Sequence, residues 1–369
     1  MKKIAIIYLG NYYYDARLIN MVDSLSSYKY AVDIVCITNK QTNSSETLNI
    51  KNVSIRPIIL LSFGFFKYIE FFFKVRKKIK NKKYHCVLAG DVYSLAPVYF
   101  FTSKAQLVYD CREIYSALAA HTNSPISQWL LTKYEQYFIK FFSDVIVTAP
   151  TDLSLLKIKF SKYQFINWHL IYNFPKYQTI NQIISLRTKY DIPKNHTILC
   201  YQGVIQKDRG IGKLFFVLEQ KKDMWACIVG DGEAMNYYKE MAKKLNIYQR
   251  VLFVGKVPYI KLLNYTAACD IGWVVIQEKG TSNQFALPNK LFEYGLANIP
   301  VIASKLPNLI DILTKYSLGE LVDSKNIQEQ IKAIETLKNK KELNQYDKII
   351  KNNFVWVVQE KKFINIVHE

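Results

Sequence analysis

A chain of 369 residues, half of them apolar, is longer than one ordinary domain and can fill two cores. Its 50 Lys and Arg against 30 Asp and Glu leave a formal charge of +20, which favours an anionic partner: nucleic acid, an anionic membrane or a phosphorylated substrate. No run approaches the roughly 20 apolar residues that span a bilayer, and Cys36, Cys86, Cys111, Cys200, Cys227 and Cys269 stand singly without a C-x-x-C pair, which argues against a membrane-spanning chain and a disulfide-built scaffold. The expectation is a cytoplasmic protein, peripheral on the inner face of the plasma membrane.

From the N-terminus, short β-branched runs alternate with longer helical patterns. The runs are Ile4–Leu9, Val32–Ile37, Cys86–Ala89, Leu107–Tyr109 and Val145–Thr148, then Ile198–Tyr201, Ala226–Val229, Val251–Val254, Ile271–Val275 and Val301–Ala303. Strand followed by helix, repeated, predicts an α/β fold with parallel sheets. The join falls near Tyr172-Asn173-Phe174-Pro175, because the residue before a proline resists helix. This divides the chain into 1–172 and 173–353, two Rossmann-like domains with parallel sheets facing each other across a cleft.

The first strand ends in Tyr8-Leu9-Gly10-Asn11, and a helical pattern follows with Asp15 and Arg17 at its mouth. Polar groups therefore lie at the carboxyl edge of the sheet, where ligands of α/β proteins bind; a plain loop fits the same residues. Residues 63–83 run from Phe63, Phe65, Phe66, Tyr68, Phe71, Phe72 and Phe73 into Lys74, Arg76, Lys77, Lys78, Lys80, Lys82 and Lys83. On a helix, Phe65, Ile69, Phe72, Phe73 and Val75 make an apolar face with basic residues toward its end, suited to an anionic membrane surface. The same aromatics could instead pack on the sheet. Asp91 follows Val87-Leu88-Ala89-Gly90, and Arg112 and Glu113 follow Tyr109-Asp110-Cys111, again at strand ends. Arg112 suits an acceptor oxygen or a phosphate, or with Glu113 it merely shapes the domain edge.

In the second half Gly203 ends a strand, and Gln206-Lys207-Asp208-Arg209-Gly210 brings basic residues to a helix starting near Ile211, which suits a diphosphate. Gly-rich strand ends recur at Val229-Gly230-Asp231-Gly232-Glu233 and Phe253-Val254-Gly255-Lys256-Val257-Pro258. Then comes Leu287-Pro288-Asn289-Lys290-Leu291-Phe292-Glu293-Tyr294-Gly295. Pro288 suits the first turn of a helix whose free amides can hold a phosphate, while Glu293, further along, can accept hydrogen bonds from sugar hydroxyls. Phosphate and hydroxyls together describe a nucleotide-sugar site.

This last stretch, running into Ile299-Pro300-Val301-Ile302-Ala303-Ser304, resembles the donor-binding segment of family 4 retaining glycosyltransferases, often written E-x7-E. Glu293 matches the second acid, and the place of the first falls on Phe285. Over about residues 197–323 the order of segments resembles the family too: a V-G-x-G-P turn at Gly230, and an F-L-G-x-V-P strand at Gly255 whose backbone commonly reads the base. The resemblance implies the GT-B architecture, with a final helix over about 354–369 packing back onto the first domain. It assigns Arg209 to the leaving nucleoside diphosphate, with Lys207 or Lys290 as the second charge, since Val204 stands where a basic residue is often found.

Tyr109–Tyr115 resembles the family's Y-D-x-H-E segment with Arg112 in place of His, and the Gly10 loop resembles its first loop, which faces the acceptor and the donor phosphates. The implied catalytic residues are Arg209, Lys290 and Glu293. The donor set adds Gly10, Gly203, Lys207, Gly230, Asp231, Gly255, Lys256, Leu287, Pro288, Asn289 and Leu291, and the acceptor side comprises Asn11, Asp15, Arg17, Asp91, Arg112 and Glu113. The implied reaction moves a sugar from a UDP- or GDP-linked donor to a lipid-linked or polysaccharide acceptor in cell-surface glycan biosynthesis. Neither a D-x-D triplet nor a His/Cys cluster occurs, so no metal and no cofactor are expected. The alternative is a catalytically silent partner subunit that binds nucleotide sugar or another transferase at the membrane. Nucleic acid is not expected, because the aromatics lie within apolar runs rather than among polar residues that could contact bases.

Overall fold

The computed structural model describes residues 1–38, 50–102, 104–115, 124–180, 182–278, 281–339 and 345–368. The chain forms two units, Met1–Asn173 with Gln359–Glu369, and Phe174–Val358.

In the first unit, β1 (Lys3–Tyr8), β2 (Ala31–Ile37), β3 (Val53–Ile58), β4 (Cys86–Ala89), β5 (Gln106–Cys111), β6 (Asp144–Val147) and β7 (Asn167–Leu170) form one sheet in the order β3-β2-β1-β4-β5-β6-β7. Every pair is parallel, and β1 lies between β2 and β4, so the winding reverses between β1 and β4. The central strands carry apolar residues on both faces because helices cover both, and Ile4, Ile7, Val87 and Leu88 are wholly buried. Asp33 interrupts β2 and is buried as well. It is held by Lys3 at 3.2 Å, Arg56 at 3.0 Å and Lys82 at 3.3 Å, and accepts a hydrogen bond from the Tyr84 hydroxyl at 2.8 Å. The final helix, Val357–His368, is bonded into this unit: Gln359 accepts from the Tyr172 amide at 2.8 Å and donates to its carbonyl at 2.6 Å, and Ser24 donates to Glu360 at 2.6 Å.

The second unit repeats the scheme with β8 (Thr197–Gln202), β9 (Met224–Val229), β10 (Val251–Gly255), β11 (Ile271–Val274), β12 (Val301–Ser304) and β13 (Gly319–Val322), ordered β10-β9-β8-β11-β12-β13 and again all parallel. Here the winding reverses between β8 and β11. The three strands that the apolar runs do not predict, β3, β7 and β13, all lie at sheet edges. An edge strand is covered less and tolerates Ser54, Arg56 and Pro57 in β3, or Asn167 and His169 in β7. All six cysteines are buried free thiols.

The helix Phe66–Ile79 corrects one expectation. Its core face is Phe71, Val75 and Ile79, so Val75 does not belong with Phe65, Ile69 and Phe73, which remain exposed together with Phe66. Phe72 packs sideways on Phe100 and Phe101, with ring centroids 5.9 and 4.7 Å away. Phe63, 89% exposed, and Leu61 continue the apolar surface before the helix. No helix among the described residues is long and apolar enough to cross a membrane.

Candidate donor and acceptor sites

At the point where the winding of the second sheet reverses, the loop after β8 meets the end of β11, and crevices of this kind take ligands in open α/β sheets. Gly210 starts the helix Ile211–Gln220 at φ +94°, and a Cβ there would lie 1.7 Å from the Val275 carbonyl oxygen, so only glycine fits. The Trp273 indole donates to the Gly210 carbonyl at 3.0 Å, and the Gln277 amide donates to that of Asp208 at 3.3 Å. This pinned loop carries Arg209, which is half-buried and has no ion-pair partner among the described residues. The Lys290 ammonium lies 3.9 Å from the centre of the Tyr201 ring. Burial, and then the positive charge of Arg209, lower the Lys290 ammonium to about 7. Two cations that repel each other, neither with an ion-pair partner among the described residues, mark a place for an anion.

Glu293 lies on the short helix Lys290–Leu296 with a residue exposure of 6%. Its carboxyl accepts from Gln202 Nε2 at 2.5 Å and hydrogen-bonds the Tyr259 hydroxyl. Burial pushes it up to about 7 against the pull of those two donors and of Lys290. The expected helix-end donors are less available than the sequence implies, since the amides of Leu291, Phe292 and Glu293 already bond the carbonyls of Pro288 and Asn289. Leu291 is wholly buried, so its side chain belongs to the core, whereas Leu287, Pro288 and Asn289 are half-buried. Phe285, at the place of the first acid, is half-buried, and its carbonyl accepts from Asn308 at 2.7 Å.

The glycine rim beside this loop is close-packed. Gly203 and Gly230 directly follow β8 and β9 and Gly255 ends β10, with the Gly203 amide on the Val229 carbonyl at 3.0 Å and the Gly230 amide on that of Gly255 at 2.9 Å. At Gly230, φ is +142° and a Cβ would lie 1.9 Å from the Gly203 carbonyl oxygen, so a side chain there would split the rim. Asp231 is exposed and accepts from the Gly232 amide, and burial lowers the neighbouring Lys256 ammonium while Asp231 opposes that shift. Lys207 is exposed with its ammonium 4.7 Å from the centre of the Tyr237 ring, which leaves the half-buried Lys290 as the companion of Arg209. Sequence reasoning overlooked Gln202, Tyr201 and Tyr259. The available signal was an amide side chain ending an otherwise apolar strand.

In the first unit the expected acceptor-side residues do gather at the strand ends, but several are occupied. Arg17, 2% exposed, bonds Asp110 through Nε and Nη2 and the carbonyls of Ile171 and Tyr172 through Nη1. It is a structural tie, so its acceptor-side assignment is corrected. Asp91 is likewise buried, accepting from the Leu9 amide at 2.6 Å and from the amide and hydroxyl of Ser94 at 2.8 and 2.9 Å. It joins β1 to β4 and turns no oxygen outward, a second correction. Asn11 caps the turn at Tyr13, and Asp15 caps the helix at Leu18. Arg112 bonds Asp110 at 2.9 Å and Asp15 at 2.5 Å, and its guanidinium lies 4.5 Å from the centre of the Tyr8 ring. Gly10 lies against the same ring, where a Cβ would come within 2.3 Å, and Glu113 is exposed.

Residues 182–356 match the family model described as glycosyl transferases group 1. No curated protein matches in sequence. Among solved structures, the chain is similar to sucrose-phosphate synthase from Thermosynechococcus elongatus, with a TM-score of 0.80 at 16% identity over 100% of this chain and 98% of that one. It is similar to HepE from Anabaena, solved with UDP and glucose, with a TM-score of 0.75 at 17% identity over 100% of both chains. A third is WaaG, a glycosyltransferase involved in lipopolysaccharide biosynthesis, with a TM-score of 0.71 at 13% identity over 99% of both chains. These likenesses agree with the two parallel sheets in giving the fold as GT-B.

Proposed function

We propose that the chain, whose residues 182–356 match the family model described as glycosyl transferases group 1, is a retaining, metal-independent hexosyltransferase. It would move a sugar from a UDP- or GDP-linked donor to a lipid-linked or polysaccharide acceptor of the cell surface. The observation that carries this reading is the pair Arg209 and Lys290, two neighbouring cations beside Tyr201 at the reversal of the second sheet, neither with an ion-pair partner among the described residues. A diphosphate supplies the charge this pair lacks. Negative charge grows on the diphosphate as the glycosidic bond breaks, so fixed cations there stabilise the transition state more than the bound donor. Glu293 would accept hydroxyl hydrogen bonds of the nucleotide, and the leaving phosphate would take the acceptor's proton, so no side-chain base is assigned. UDP bound to HepE is consistent with the nucleotide part of this reading.

On the first unit, Asn11, Asp15, Arg112 and Glu113 remain the acceptor-side candidates. We further propose that the exposed Phe63, Phe65, Phe66, Ile69 and Phe73, with the basic end of the helix Phe66–Ile79, rest on the anionic inner face of the plasma membrane. A thermal-shift screen against UDP- and GDP-sugars tests the donor reading, because a ligand that binds the native state raises its melting temperature. Stabilisation by one nucleotide sugar, with slow donor hydrolysis that Glu293→Gln abolishes, supports a transferase. Stabilisation without any turnover on supplied acceptors would favour the silent partner, and no response to any donor would sink the assignment.

A further inference from the structure

Gln202 is the last residue of β8, with a side chain 1% exposed in a strand otherwise made of apolar residues and Thr197. Its Nε2 donates to Glu293 Oε2, and its Oε1 accepts from the Thr266 hydroxyl at 2.6 Å. Both ends of the amide are engaged, so it sits only one way round. Tyr259, in the first turn of the helix Tyr259–Thr266, hydrogen-bonds the same Glu293 carboxyl. Next to Glu293, the Tyr294 hydroxyl donates to the Cys200 carbonyl at 2.8 Å and accepts from the Gln202 amide at 3.1 Å. The short helix Lys290–Leu296 is thereby tied to the end of β8 through two successive side chains.

A fold needing only a filled core at these positions would place apolar side chains there, since each buried polar group adds a desolvation cost that only matched partners offset. We propose that Gln202 and Tyr259 are positioning residues that hold the Glu293 carboxyl in one orientation, ready to accept hydroxyl hydrogen bonds from the nucleotide. This rests on the donor site proposed above. Burial favours the neutral form of Glu293 while its two hydrogen bonds favour the charged one, and a neutral carboxyl presents a donor where an acceptor is needed. The groups around it are Tyr259 from its helix, Gln202 from β8 and Lys290 from its own helix, with Arg209 and Cys200 beyond Lys290. Gln202 and Tyr259 come ahead of Lys290 in holding the carboxyl down.

Two measurements test this on the full chain. The first follows the Glu293 carboxyl by ¹³C NMR in the ligand-free protein across a pH series, in wild type, Gln202→Leu and Tyr259→Phe, with a thermal melt to establish that each variant is folded. Each substitution removes one hydrogen bond to the charged form, and the Glu293 midpoint should rise by roughly one pH unit. The second titrates UDP calorimetrically over the same series. Wild-type affinity should rise as Glu293 ionises and fall again as Lys290 loses its proton. The two variants should move the rising limb to higher pH and leave the falling limb in place, and Glu293→Gln should lack the rising limb. Midpoints equal to wild type in both folded variants would overturn the positioning role while leaving the donor site standing. If UDP and GDP fail to bind wild type at any pH, the donor reading falls, and the NMR midpoints still decide whether Gln202 and Tyr259 control the carboxyl.

Discussion

Arg209 was legible in the sequence as a basic residue before a glycine at a helix start, and the structure adds what spacing does not carry, that no acid among the described residues forms an ion pair with it. The expected outcome for Arg209→Ala is a loss of kcat on the order of 100- to 1000-fold with a smaller change in donor affinity, because the group acts where charge develops. Arg209→Lys should keep part of the activity, as a point charge replaces a planar fork. Steady-state kinetics with titrated donor decides, and an effect confined to KM would make Arg209 a binding residue. Arg17 and Asp91 show the opposite case. Both stand where a ligand-facing residue would, yet both are used up by long-range partners that a linear reading cannot see, Asp110 for one and the Leu9 amide for the other. Arg17→Ala should therefore act first on stability: leaving Asp110 buried with one partner fewer should cost about 3–5 kcal/mol, read as a lower melting temperature.

At the scale of elements, the buried strands declared themselves by unbroken apolar runs, and the edge strands β3, β7 and β13 did not, because partial cover leaves them polar enough to pass for loops. The helix Phe66–Ile79 was legible as a helix with an aromatic face and a basic end, but which stripe meets the sheet depends on the neighbour. Phe71, Val75 and Ile79 do so, and Phe66, Ile69 and Phe73 form a second stripe facing out. Two substitution sets separate the contributions to membrane contact. Replacing Lys77, Lys78, Lys80 and Lys83 by Gln, with Lys82 left on Asp33, removes about 1 kcal/mol of attraction per lysine and should release the protein from anionic vesicles in a sedimentation assay. Replacing Phe66, Ile69 and Phe73 by Ser should also weaken retention, and it should do so equally at high salt, where charge is screened. Unchanged sedimentation in both sets would remove the membrane from the proposal.

For the molecule as a whole, two buried carboxylates make the first sheet sensitive to acid. Burial pushes Asp33 up, but hydrogen bonds from Arg56, Tyr84 and Lys3 outweigh it and hold the carboxyl at about 2 against an ordinary 3.8. Asp144, bonded by His169, Ser143 and Gln106, is likewise held at about 2. A folded value below the unfolded one means that stability is fully present above 3.8 and is lost as pH falls toward 2. Acid unfolding should therefore set in across that window, and Asp33→Asn should lower stability by about 2 kcal/mol at neutral pH while flattening the acid limb. Circular dichroism over a pH series would show it, and an unchanged acid limb would remove Asp33 from this role. The six buried cysteines have a practical consequence of their own. The thiolate is the reactive form, and burial both hides these sulfurs and pushes Cys36, for one, up to about 11. The native surface should therefore be nearly silent to maleimide dyes. A cysteine introduced at Phe63 would then take up label almost alone, and an environment-sensitive fluorophore there should turn blue on contact with a bilayer and stay unchanged in its absence, turning the aromatic end of the first unit into an optical probe of its own surroundings.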